Sequence, residues 1–308
     1  MQFNDYLKRC RVNNELTQEE LVSNLYTYDI DTFGGLDTST LSKWERSTTK
    51  PKAAKQVSIM KYFQEVTGNP LPCMHNPSEK EAQELICKAG VRNLLGKNKQ
   101  LIFNFPSEFM SVDDMDISPL RSFDRMDALI ESNMHIQQGF NHSYAHITQE
   151  QVKEWALHPS SLFLGCEHKG CFLGLFFTIK VKPEVFSKIV NFEMKKGDLT
   201  VDDFASSEEQ GSMLMLSFFA MNEKAGVMLV IRYFAHLIAN QDNIVEMGGV
   251  TSNDEAQKIT GRMNLQPHST MTTDNNQKIH SLRQTLPNVL ASEYVLRMIL
   301  SKQECPEE

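Results

Sequence analysis

The sequence predicts an α + α/β protein: an N-terminal all-α domain followed by an α/β domain with a mixed sheet. Three observations carry this. Residues 1–65 break into short stretches whose apolar residues recur at helical spacing. From Ser161 onward, apolar runs of strand length alternate with helical patterns. At 308 residues, the chain exceeds what one typical core holds, so two domains are expected.

The N-terminal helices come first. Phe3, Leu7 and Cys10 lie at i, i+4 and i+7 and give a first helix with one buried face. Thr17 opens a capping box with Glu20, and Leu21 and Leu25 face inward on the helix that follows. Asp37 or Thr38 caps a third helix, with Leu41 and Trp44 as its buried knobs. Ala54, Val57, Met60 and Phe63 mark a fourth after Pro51. Tyr26–Gly35 is a long turn between the second and third helices, bent at Gly34-Gly35; with Asp29 and Asp31 it could contact DNA, shape a dimer or bulge into solvent, and the bulge is the expectation.

The N-terminal part resembles the Cro-like XRE family of helix-turn-helix regulators. The carriers are Gln18-Glu19-Glu20-Leu21, the hydroxyl-rich run from Thr38 to Arg46, and Lys50-Pro51. The family's usual glycine after Arg46 is Ser47 here, which bears on the helix C-cap. The resemblance implies a DNA-binding surface made of Gln18, Thr38, Ser39, Thr40, Ser42, Lys43, Arg46, Lys50 and Lys52. The hydroxyls and Lys43 would read base edges, and Gln18, Arg46, Lys50 and Lys52 would hold phosphates.

Charge is compatible with that expectation. The net −8 lies beyond residue 65, because residues 1–65 hold nine cations and nine anions. Positions 43–61 carry Lys43, Arg46, Lys50, Lys52, Lys55 and Lys61 against Glu45 alone, a local basic stripe.

Residues 67–100 read as linker and connecting helix, with Gly68, Pro70, Pro72 and Pro77 before a helical pattern from Ser78. Residues 101–308 form the α/β domain. Its expected strands are Leu101–Phe105, Ser161–Cys166, Cys171–Ile179, Met213–Met221 and Ile244–Val250. Its expected helices are Phe123–Met134, one after a Thr148–Gln151 capping box, Gly226–Ala239 and Asp254–Met263.

This order resembles the GNAT acyltransferase fold, with Asn253, Ala256, Ile259 and Met263 matching a pattern of its last helix. The family's Tyr, Gly and Phe are Thr260, Asn264 and Leu265 here. The resemblance places a pyrophosphate loop at Asn222–Met228, where Gly226 fits and Met228 would obstruct. It thus names Asn222, Gly226 and Asn253 as effector-binding residues. Met213–Met221 holds no acid or histidine to serve as a base, so catalysis is expected to be lost.

Other constellations count for less. Cys166-Glu167-His168-Lys169-Gly170-Cys171 reads as a hairpin turning at Gly170 rather than a zinc site, so no metal is expected. His142 and His146 lack a completing glutamate, and His236 reads as a packed residue of its helix. The six cysteines have no framework spacing, which suits a reducing cytoplasm. No eighteen-residue apolar run and no secretion signal is present, so no membrane partner is expected.

The functional expectation is a cytoplasmic, sequence-specific transcription regulator that binds a double-stranded DNA operator as a homodimer. Residues 1–66 form its DNA-binding domain. Its C-terminal domain dimerises or binds a small-molecule effector or protein partner, without catalysis and without a cofactor. The alternatives are an acyl-CoA-dependent acyltransferase carrying a DNA-targeting module, or an adaptor or antitoxin.

Overall fold

The computed structural model describes residues 1–68, 71, 72, 77–94, 110–119, 126–140, 147–252, 254–273 and 276–300. The N-terminal helices are α1 (Phe3–Asn13), α2 (Gln18–Tyr28), α3 (Ile30–Phe33), α4 (Thr38–Glu45), α5 (Ala53–Thr67) and α6 (Glu79–Leu94). After them come β1 (Met115–Pro119), α7 (Met126–Phe140), α8 (Gln149–Leu157), β2 (Ser161–His168), β3 (Cys171–Val181) and α9 (Pro183–Val190). The chain continues through β4 (Gly211–Ala220), α10 (Glu223–Ala239), β5 (Ile244–Thr251), α11 (Asp254–Arg262), β6 (Gln266–Thr272), β7 (Lys278–Thr285), α12 (Leu286–Leu290) and α13 (Glu293–Ile299). The expected strand Leu101–Phe105 lies outside the described residues. None of the helices among the described residues is long and apolar enough to cross a membrane.

Local chemistry explains most of the helix ends. The capping box at Thr17 forms as expected: Thr17 Oγ1 accepts from the Glu20 amide at 3.1 Å, and the Thr17 amide donates to Glu20 Oε2 at 2.7 Å. Asp37, not Thr38, caps α4 by accepting from the Thr40 amide. Ser47 takes the left-handed conformation itself (φ 62°), so α4 ends as it would with glycine. Asn264 does the same after α11 (φ 66°).

The Tyr26–Gly35 segment is not a solvent bulge. Asp29 caps the one-turn helix α3, its carboxylate also accepts from Ser58 Oγ, and Phe33 is fully buried. Gly34 is needed for space rather than for a left-handed bend, since a Cβ there would sit 2.7 Å from the Ile30 carbonyl. Helices α2 and α4 are therefore separated by a further anchored helix. The all-α N-terminal region is present, but this geometry departs from a helix-turn-helix, and nothing else supports that assignment.

Among the described residues, seven strands form one mixed sheet in the order β1-β2-β3-β4-β5-β7-β6. The β4–β5 pair is parallel and the other pairs are antiparallel. β2 and β3 join through Lys169 (φ 50°) and Gly170 (φ 75°), the left-handed pair that a two-residue hairpin requires. β6, β7, α9, α12 and α13 are not among the expected elements; in β6 and β7 the apolar residues are sparse or interrupted by polar ones.

Two apolar layers sandwich the sheet. One face carries α10, which is buried nearly all round, from Ala225 through Ile238. Helices α6 and α13 pack over α10, and Phe3, Leu21, Leu41, Trp44 and Phe63 of the N-terminal helices belong to the same continuous core. The Gln64 amide donates to the Pro287 carbonyl across this junction. The opposite face carries a separate cluster under α7, α8 and α9, including Trp155, Phe163, Phe177 and Phe186.

Candidate functional site

The parallel strands β4 and β5 leave the sheet's interior in the same direction and then part. Their pairing runs from Gly211↔Ile244 to Met215↔Gly249. Beyond that, Leu216–Ala220 remain in register with β3 only from Ser217 on, and Val250–Thr251 with β7 only. The carboxyl ends of parallel strands, each followed by a helix, are where open α/β sheets hold ligands. The cleft between β4 and β5 is such a place, with α10 starting after one strand and α11 after the other.

A β-bulge shapes the β4 wall. Phe177 pairs with Ser217 and Thr178 with Met215, so Leu216 is an extra residue. Ser217 consequently faces the α7–α8–α9 side with its partner Phe177, which belongs to that cluster. Its hydroxyl is buried and has no hydrogen-bond partner among the described residues. On the opposing wall, the Val250 carbonyl accepts from Lys196 Nζ at 3.0 Å. Lys196 is 6% exposed, and burial lowers its pKa to about 8.

At the head of the cleft, Asn222 is buried and caps α10, its Oδ1 accepting from the Ala225 amide at 2.9 Å. Gly226 is buried and makes the first helical bond, to the Asn222 carbonyl. The helix begins at Glu223, three residues before the expected start, so Met228 sits in its second turn and is buried in the core. Met228 thus lies beyond the first-turn amides of α10. Asn253, the third expected effector residue, lies outside the described residues.

Among the described residues, three further groups that could take or give a proton are committed to other contacts. Glu246 of β5 is buried but held by Arg283, with Arg283 Nε 2.6 Å from Glu246 Oε2, and it also accepts from Ser212. Thr260 directs its hydroxyl to the Ala256 carbonyl at 2.7 Å, within its own helix, so it is not presented as an acid. Tyr233, a buried residue of α10, stacks on Phe176 of β3 at 4.4 Å, and burial holds its hydroxyl well above the usual tyrosine range.

The nine residues expected to touch DNA lie away from the cleft, on and around α4. Ser39, Lys43, Arg46, Lys50 and Lys52 are exposed, and Gln18, Thr38, Thr40 and Ser42 are half-buried. Ser39, Lys43 and Arg46 share one face at i, i+4 and i+7. Gln18 is engaged within the fold, donating to Glu45 Oε2 at 2.7 Å. Cys166 and Cys171 are free, and burial pushes the Cys166 thiol up to about 12. His236 is half-buried rather than packed away, 2.5 Å from Glu79. Cys73, His75, His142 and His146 fall outside the described residues.

Sequence reasoning missed Lys196 and Ser217. Lys196 follows Lys195 in a charged stretch that reads as solvated, and nothing in the sequence separates the exposed lysine from the buried one. Ser217 carried a faint signal, being the one hydroxyl within the apolar run Met213–Met221.

No family model matches the chain, and no curated protein matches it. Solved structures do. An aminoglycoside N(6')-acetyltransferase from Legionella pneumophila matches at 7% identity over 57% of this chain and 94% of its own, with a TM-score of 0.37. FeeM, an N-acyl amino acid synthase from uncultured soil microbes, matches at 13% identity over 57% and 96%, with a TM-score of 0.37. Ard1 from Thermoplasma volcanium matches at 15% identity over 56% and 97%, with a TM-score of 0.34. The expectation of a non-catalytic DNA-binding transcription regulator is corrected here: the matching structures include acetyltransferases and an N-acyl amino acid synthase. The likeness is one of fold alone and covers 57% of this chain in the first of these structures.

Proposed function

We propose that this chain is an acyltransferase that moves an acyl group from an acyl-CoA thioester to an amine. The observation that carries the reading is the parting of β4 and β5 after Met215 and Gly249, with a bulge on one wall and the start of α10 at its head. The pantetheine arm of CoA is long, thin and rich in amides. Such a ligand adds to parted strands as an extra strand would, through main-chain hydrogen bonds. Its thioester would then lie beside the bulge at Leu216-Ser217, and its diphosphate beside the first turn of α10. There the partial positive charge of the helix end favours an anion, and Lys224 offsets the opposing charge of Glu223.

Calorimetry with acetyl-CoA and longer acyl-CoAs, followed by thiol-release assays against a panel of primary amines, tests the reading. Saturable heat and amine-dependent thiol release, with the amide identified by mass spectrometry, are the expected results. Absence of heat from every acyl-CoA overturns it.

A further inference from the structure

One position on β4 breaks the apolar rule of its surroundings. Phe163 of β2, Phe177 of β3 and Ser217 of β4 are successive partners across the sheet, so their side chains stand in one row on the α7–α8–α9 side. The two phenylalanine rings lie 4.5 Å apart, and Leu214 and Leu216 of β4 belong to the same apolar cluster. Were β4 regular after Leu214, Phe177 would pair with Leu216 and Ser217 would point toward α10. The bulge is what turns the hydroxyl to this side.

Ser217 is 6% exposed, and its hydroxyl has no hydrogen-bond partner among the described residues. A buried hydroxyl without a partner destabilises the empty protein, and native structures pair nearly all such groups. Alanine would fill the position without that cost. Two more buried polar atoms around the cluster are also without a partner among the described residues: Asn133 Oδ1 on α7 and Trp155 Nε1 on α8. Trp155 belongs to the cluster, and Asn133 lies one helical turn from Leu129 and Ile130, which belong to it too. Two donors and one acceptor are thus set in apolar packing that neither helices nor sheet engage. Such a set is the complement of an apolar group bearing a hydroxyl, which both accepts and donates.

Resting on the acyl-transfer reading, we propose that Ser217 is a specificity-determining residue for the donor, and that the transferred acyl group carries a hydroxyl on its carbon chain. A pantetheine arm added to β4 as an extra strand lies in the plane of the sheet, and main-chain donors in that plane serve its thioester carbonyl. Side chains stand perpendicular to that plane. Ser217 Oγ therefore meets the acyl carbon chain where it enters the α7–α8–α9 side, rather than the carbonyl. Leu214, Leu216 and Phe177 surround the remainder of the chain with apolar surface.

The test is calorimetric binding of butyryl-CoA and of its 2-hydroxy, 3-hydroxy and 4-hydroxy forms to the full chain, as wild type and as Ser217→Ala, with no acceptor present. One hydroxylated isomer is expected to bind the wild type about tenfold more tightly than butyryl-CoA. Ser217→Ala should abolish that preference. Its thermal midpoint without ligand should be no lower than that of the wild type, because the hydroxyl holds nothing in the empty protein. Equal weakening of every thioester by Ser217→Ala would make the hydroxyl a donor to the carbonyl they share and overturn the proposal. A wild type that binds butyryl-CoA as tightly as each hydroxylated isomer, or a lowered midpoint in Ser217→Ala, overturns it as well. Binding of acetyl-CoA alone does the same and leaves acyl transfer intact, whereas no binding of any acyl-CoA overturns the acyl-transfer reading itself.

Discussion

Glu45 offers a quantitative test of how the N-terminal helices are held. It closes α4, and its side chain is 5% exposed. Arg11 of α1 reaches it through Nε at 2.5 Å and Nη2 at 3.0 Å, and Gln18 of α2 through Nε2 at 2.7 Å. Three helices thus meet on one carboxylate. Burial alone would raise its pKa, but the bonds from Arg11 and Gln18 and the charges of Arg11 and Lys8 outweigh this and lower it. Glu45→Ala leaves a guanidinium whose side chain is only 15% exposed without its counter-charge. Breaking a buried pair from one side costs about 3–5 kcal/mol. Arg11 keeps its bond to the Leu16 carbonyl and turns one edge to water, which reduces the expected loss to about 2–4 kcal/mol. Urea unfolding followed by circular dichroism, with hydrogen exchange of the α1 and α4 amides, measures it. Arg11→Met combined with Glu45→Leu removes both charges and should recover all but about 1 kcal/mol. A loss below about 0.5 kcal/mol in Glu45→Ala would refute the clamp.

Two further outcomes follow from the packing. Gly248→Ala places a Cβ 2.1 Å from the Leu282 carbonyl, which forces β5 and β7 apart, so thermal unfolding should show a loss of about 3 kcal/mol or more; an unchanged midpoint would contradict the strand spacing. Glu79 joins α6 to α10 through His236 and Arg232; burial raises its pKa, but the His236 hydrogen bond, its charge and that of Arg232 prevail and lower it. Its stabilisation is therefore complete above its ordinary value of 4.5 and lost as pH falls through the lowered folded value. Glu79→Gln should cost about 1–2 kcal/mol near neutrality and nothing in strong acid, and equal losses at both would contradict the pairing.

Much of the architecture was legible because it rests on local rules. Phe3, Leu7, Cys10, Leu21, Leu25, Leu41 and Trp44 are buried as their spacing predicts. Thr17 caps α2, Gly170 turns the β2–β3 hairpin, and the apolar runs from Ser161, Cys171, Met213 and Ile244 lie in strands, the third of which begins two residues early, at Gly211. The fourth helix was read less well: Ala54 is exposed, whereas Ile59 and Tyr62 are buried. β6 and β7 escaped notice because one carries exposed polar residues at almost every position and the other mixes them with core residues. The Thr148–Gln151 pair was only half right, since Thr148 caps α8 while Gln151 holds the Lys196 loop.

The sequence by itself determined most of the N-terminal helices, the Thr17 cap, the β2–β3 turn and the strands β2 to β5, since each depends on neighbours within a few positions. The site depended on contacts that no local pattern encodes. Whether Lys195 or Lys196 turns inward is decided by α8 gripping the loop through Gln151. Where β4 leaves β5 is decided by register between segments about thirty residues apart and by one extra residue at the bulge. Glycine was dispensable at Ser47 and Asn264, where the helix end imposes the left-handed backbone. The burial of a charge and the opening of a cleft are properties of the assembled sheet, because desolvation and strand divergence exist only once distant segments have come together.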